Sequence, residues 1–236
     1  MSQCFVNVTW SNGNTWNTRN LGVLRPNAKL TVSEKDLVGI VPDDTGITLL
    51  SLTKNLIPEE QGELPHLSQF STLMPAWRAS LGLSSQTAQA SYQGEIDPFP
   101  KKASLLCFCP MLQFSEDIEN FLIFINVEKN PIGRVDCIEV FDACRGCLIE
   151  KYPVSNNTVN VIPLSDICVT PDDLLVVVCR GMAGVPLFLA RTKDLSCMTL
   201  EHTHPPGSLT VHGERWRVQK VLKESWFRKL NAELPN

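Results

Sequence analysis

This chain is poor in the groups that do chemistry. Its 236 residues include four histidines and two tyrosines, and aromatics make up only 7%. No apolar run approaches the roughly 20 residues that a membrane-crossing helix requires. The longest runs, 121–127 and 174–179, are strand-sized, so a helical membrane protein is excluded. The amino terminus has neither a basic start nor a long apolar core, so no secretory leader is expected and the cytoplasm is the expected location. An excess of positive charge is also missing. A net charge of −4 gives no field to attract a polyanion, which disfavours a nucleic-acid partner. No Gly-x-Ser-x-Gly elbow is present, and Gly181-Met-Ala-Gly184 is neither a dinucleotide fingerprint nor a phosphate loop.

What is present describes an ordinary packed protein. Hydrophobic residues make up 43% and charged residues 19%, enough apolar surface to fill a core. The length allows one large β-rich domain or two small ones, and a single domain over 1–236 is expected. Nine cysteines is an odd number for a disulfide framework. Cys107, Cys109, Cys137, Cys168 and Cys179 lie inside apolar runs and read as small buried hydrophobes. Cys144-Arg-Gly-Cys147 has the spacing of half a zinc site. It reads better as a hairpin turn with Gly146 at positive φ.

Strand signals dominate from residue 103 onward. Short β-branched or aromatic runs recur at 103–109, 121–127, 135–141, 158–163, 174–180, 185–191 and 197–203, separated by turn residues. Regular spacing without intervening helical patterns predicts a mainly β, antiparallel, sandwich-like domain. Several runs are apolar at nearly every position, which predicts strands covered on both faces. Before residue 103 the pattern predicts strands at 4–10, 29–32 and 47–53. The stretch 58–102 then reads as irregular and a possible functional loop, with one short helix at 76–83. Residues 181–184 read as a hairpin turn.

One helix is expected at the end, over 213–230. Val218, Val221, Leu222, Ser225, Trp226 and Leu230 fall at helical spacing and predict its packed face. Arg215, Arg217, Lys220, Lys223, Arg228 and Lys229 form the opposite, basic face. Arg215 is thereby a candidate binding residue for an anionic partner.

The chemistry-bearing residues concentrate just before that helix. Three of the four histidines lie at His202, His204 and His212. On a strand His202 and His204 project from one face, and a Pro-Pro-Gly turn can bring His212 back towards them. Three imidazoles with one open position could hold a catalytic zinc ion. Glu214 is the candidate base.

His202-Thr-His204-Pro205 resembles the opening of the metal-binding motif of JAMM-type zinc peptidases, which cleave isopeptide or peptide bonds. The resemblance implies a serine at the position of His212 and an aspartate ligand at the position of Arg215. Arginine cannot ligate a metal, so the resemblance stops after four residues. Cupin-type barrels also use His-x-His, but Pro205 to Ser208 occupy the positions of their glutamate.

Trp10, Trp16 and Trp77, with Asn12, Asn14 and Asn17 nearby, have the residue types of a sugar-stacking platform. Three functions are therefore expected, in order. The first is a non-catalytic binding or assembly module that contacts a protein or small ligand. The second is a metal-dependent hydrolase built on the histidines, with zinc as its cofactor. The third is a carbohydrate-binding β-sandwich.

Overall fold

A computed structural model describes residues 3–64, 79–94, 98–101, 103–109, 115–164, 167, 174–202 and 215–230. The fold is mainly β, with half of the chain in strands, 8% in helices, and every strand pair antiparallel. Its contacts group into two compact units. One comprises Met1–Trp77 with Glu128–Arg134, and the other Arg78–Val127 with Val135–Asn236.

The first unit holds β1 (Cys4–Ser11), β2 (Trp16–Leu24), a one-turn helix α1 (Glu34–Leu37), β3 (Thr48–Thr53) and β4 (Glu60–Gln61). The four strands form one sheet in the order β3-β1-β2-β4. Between β1 and β2 the chain turns at Asn12-Gly13. The Asn12 side chain accepts the amides of Asn14 (2.9 Å) and Thr15 (2.8 Å), and Gly13 takes φ +88°, a value glycine adopts without strain. On one face of β1 the buried residues are polar, and each side chain finds a partner. Asn7 donates to the Thr53 hydroxyl (2.8 Å), Asn20 donates to Asn7 (3.1 Å), and the hydroxyls of Thr9 and Thr18 meet at 3.0 Å. Paired in this way, the amides and hydroxyls avoid the cost of being buried alone. The predicted strand at 29–32 does not form.

The second unit begins with a hairpin, β5 (Ala79–Ser84) and β6 (Gln89–Gly94). This overturns part of the reading of 58–102 as irregular, and replaces the predicted helix over 79–83 by a strand. The hairpin is written in Ser, Gln and Gly with little apolar alternation, so the sequence carries almost no period to detect.

Eight strands follow: β7 (Leu105–Phe108), β8 (Ile118–Asn126), β9 (Val135–Asp142), β10 (Cys147–Ser155), β11 (Thr158–Pro163), β12 (Leu175–Cys179), β13 (Val185–Thr192) and β14 (Met198–His202). They form two four-stranded sheets, ordered β10-β9-β12-β7 and β11-β8-β13-β14. Leu105, Cys107, Ile138, Val140, Val154 and Val177 of the first sheet share one buried cluster with Leu122, Phe124, Ile162 and Phe188 of the second. Two sheets with a common core are a sandwich. Residues 181–184 do not make a hairpin turn, because β12 and β13 belong to different sheets and this segment crosses between them. The crossing is tight. A Cβ on Gly184 would lie 2.5 Å from Phe124 Cε2 and 2.6 Å from the Ile125 carbonyl oxygen, so only glycine fits.

The outer face of the first sheet is covered by α2 (Arg215–Lys229). Phe227 and Leu230 are buried against Phe141, Val176 and Val178, and Trp226 meets Phe108 edge-on at 5.0 Å. This is why β12 is buried on both faces, as its unbroken apolar run predicts. The packed face is the predicted one only in part: Trp226 and Leu230 lie on it as expected, and Phe227 joins them. Val221 and Leu222 are exposed. Lys223, assigned to the basic face, instead donates to the carbonyl (2.7 Å) and hydroxyl (3.2 Å) oxygens of Ser104, and its burial pulls its pKa below the ordinary lysine value.

Candidate interaction surface

The two sheets end, on one side of the sandwich, in strands that are consecutive in the chain. β10 is the outer strand of the first sheet and β11 of the second, and Asn156-Asn157 joins them. Outer strands present unpaired backbone groups, so their side chains decide whether another chain can add to the sheet.

β10 carries Glu150, Lys151 and Pro153, and its register against β9 slips between Leu148 and Glu150. Lys151 lies opposite Glu139 and contacts its carboxylate at 2.7 Å. Arg180, just past β12, closes on the other carboxylate oxygen through Nε (2.9 Å) and Nη2 (2.8 Å). Burial pushes the Glu139 carboxyl upward, but the hydrogen bonds from Lys151 and Arg180 outweigh it and hold the pKa below 4.5. Charges, a proline and a slipped register each discourage strand addition.

β11 has none of these along its length. Its six residues, Thr158-Val-Asn-Val-Ile-Pro163, include no charge, and proline comes only at the end. All six pair with β8, and among the described residues no strand pairs with the other side. Val159 and Val161 are 40% and 59% exposed. Opposite them in register stand Ile125 and Ile123, both buried, so on this face of the sheet an apolar strip runs out to the open edge.

The bare strand is held rigidly. Asn160 turns its side chain inward, accepting the Ser155 amide (2.8 Å) and donating to the carbonyls of Ser155 (2.9 Å) and Phe124 (3.2 Å). Asn157 sits at φ +50°, a left-handed conformation that asparagine tolerates better than most residues. Its amide donates to the buried Asn126 side chain (3.3 Å), which also donates to the Ala183 carbonyl (2.5 Å). Three segments are thus tied together beneath β11. An edge that is already ordered loses little entropy when a partner strand adds to it.

The candidates expected from sequence sit elsewhere. His202 is the last residue of β14, opposite Leu187, and Arg215 is the first residue of α2. His204, His212, Glu214 and Trp77 lie outside the described residues, as does Cys168. Among the described residues no group of three or more His, Cys, Asp or Glu side chains could hold a metal ion. Trp10 and Trp16 do not form one platform. The β1–β2 register pairs Trp16 with Ser11, on the face opposite Trp10. Trp16 is fully buried, with its indole N–H donating to the Lys129 carbonyl (2.8 Å), so neither ring face is open to a sugar.

Cysteines divide by environment. Cys107 and Cys179 are core residues. Burial, followed by the nearby Cys107, pushes the Cys109 thiol far above its ordinary range, and burial also raises Cys137. Cys144 and Cys147 are exposed on the β9–β10 hairpin, where Gly146 takes φ +67° as its turn reading requires. Among the described residues no helix is long and apolar enough to cross a membrane. Comparison with protein-family models, curated proteins and solved structures found no match for this chain.

Proposed function

We propose that this chain is a non-catalytic binding or assembly module, working in the cytoplasm, that captures an extended segment of a partner protein along β11. The observation that carries this reading is the contrast in edges: β11 is uncharged, apolar on its exposed face and pre-ordered, beside a guarded β10. Strand addition would draw affinity from main-chain hydrogen bonds, and specificity from side chains that meet Val159 and Val161. The cytoplasmic placement draws support from free thiols on the surface at Cys144, Cys147 and Cys197, which suit a reducing compartment.

The test compares wild type with Val161→Lys, which puts a charge on the open edge while leaving the core intact. Both proteins are used as bait in extracts of the source cells, with circular dichroism confirming the fold. A partner retained by wild type and lost from the variant supports the reading. Equal retention by both would show that β11 is not the contact.

A further inference from the structure

We propose that Cys144 and Cys147 together bind one soft monovalent metal ion, Cu(I), as a two-thiolate site at the tip of the β9–β10 hairpin. The inference is independent of the β11 reading. Of the described thiols, three are exposed, and two of those share a single turn. The turn is built to stand in one conformation. Asp142, buried at its base, accepts the amides of Cys144 (2.8 Å) and Arg145 (3.1 Å) on one carboxylate oxygen. The Gly146 amide donates to the Asp142 carbonyl (2.8 Å), and Gly146 takes the left-handed conformation that returns the chain to β10. The carbonyl of Lys229, at the end of α2, would lie 3.3 Å from a Cβ on Gly146, so the helix end backs the turn. The loop backbone is therefore occupied inward, and both thiols are on the solvent side.

The donor count selects the ion. Zinc in a structural site wants four ligands. Among the described residues no third His, Cys, Asp or Glu joins these two. Cu(I) is soft, prefers thiolate and is satisfied by two donors in a line. Each thiol gives up its proton on binding, so one ion displaces two protons. The bound unit carries one net negative charge. Arg145 lies between the two cysteines in sequence and pairs its guanidinium with Asp142 at 3.0 Å, bracing the base of the turn.

The experiment uses the full-length chain, fully reduced under anaerobic conditions and titrated with Cu(I) against a colorimetric Cu(I) chelator. Wild type is expected to withhold one equivalent more copper than either Cys144→Ser or Cys147→Ser. Cys197→Ser should match wild type. Proton release on loading should fall from two per chain to fewer in each of the two hairpin variants. Equal copper retention by wild type and Cys144→Ser would overturn the proposal. So would a zinc complex at one ion per two chains that Cu(I) cannot displace, because that stoichiometry marks a four-thiolate site between copies.

Discussion

β10 and β11 are neighbours in sequence, joined by a tight turn, and each is the outer strand of its sheet, yet they meet solvent in opposite ways. β10 spends three of its positions on Glu150, Lys151 and Pro153 and slips register against β9. β11 carries two exposed valines and no charge. An edge is a liability that natural proteins blunt. The proposed capture of a partner strand rests on this contrast between a blunted edge and an adjoining bare one.

The comparison can be broken from several directions, beginning with the support of the guarded sheet. Phe227→Ala removes the ring that α2 buries on Phe141, Val176 and Val178, and should cost about 3–5 kcal/mol by denaturant titration. Partner capture should survive in the fraction that stays folded. Its loss there would mean that the two edges are not independent. Asn160→Ala attacks the bare edge from beneath, leaving the carbonyls of Phe124 and Ser155 without their donor. The expected cost is roughly 1–3 kcal/mol. Capture should weaken by more than the stability loss explains, because β11 would no longer be pre-ordered.

On the guarded side, Glu139→Gln should cost roughly 1 kcal/mol, since Lys151 is half-exposed and screened by water while Arg180, only partly exposed, loses its charged partner. The sign of its pH dependence is fixed. A carboxyl whose folded pKa is depressed stabilises above its ordinary value of 4.5, and loses that contribution as pH falls through the lower folded value. Wild type and Glu139→Gln should therefore differ at pH 7 and converge in acid; a gap that widens below pH 4.5 would reverse the assignment. The smallest change in stability belongs to Val161→Lys, within about 0.5 kcal/mol, although it should abolish capture. Its mirror image, Glu150→Val with Lys151→Val, should convert β10 into a second open edge. Concentration-dependent light scattering absent from wild type would report it.

The same physics governs which strands are legible in the sequence. β11 stands out at 158–163 as a short β-branched run, and β12 with the central parts of β8 and β13 stands out because those stretches are apolar. β10 leaves no such trace: the charges and the proline that guard it are the features that make a segment read as loop. β2, written Trp-Asn-Thr-Arg-Asn-Leu-Gly-Val-Leu, is hidden for a related reason, since polar side chains line part of its buried face. The helix is legible as a helix, and so are Trp226 and Leu230 on its docked side, but Val221 and Leu222 at the same spacing are exposed while Phe227 is buried. A sequence pattern reports amphipathicity and carries no record of the surface on which it lands. Nor does the sequence mark β11 as the outer strand of its sheet, because an unguarded open strand and a paired one are spelled alike.

Trp16 carries a consequence for synthesis. Its indole N–H finds its acceptor in Lys129, 113 residues further along, and the Leu64 amide donates to the same carbonyl (2.7 Å). A ribosome releasing the first four strands releases a unit whose central aromatic group has nothing to bind. The first unit precedes most of the second in the chain and yet takes one of its segments, Glu128–Arg134, from beyond β8. Nascent chains arrested before residue 128 should expose Trp16 to a collisional quencher, and chains arrested beyond the point where residue 134 clears the exit tunnel should protect it.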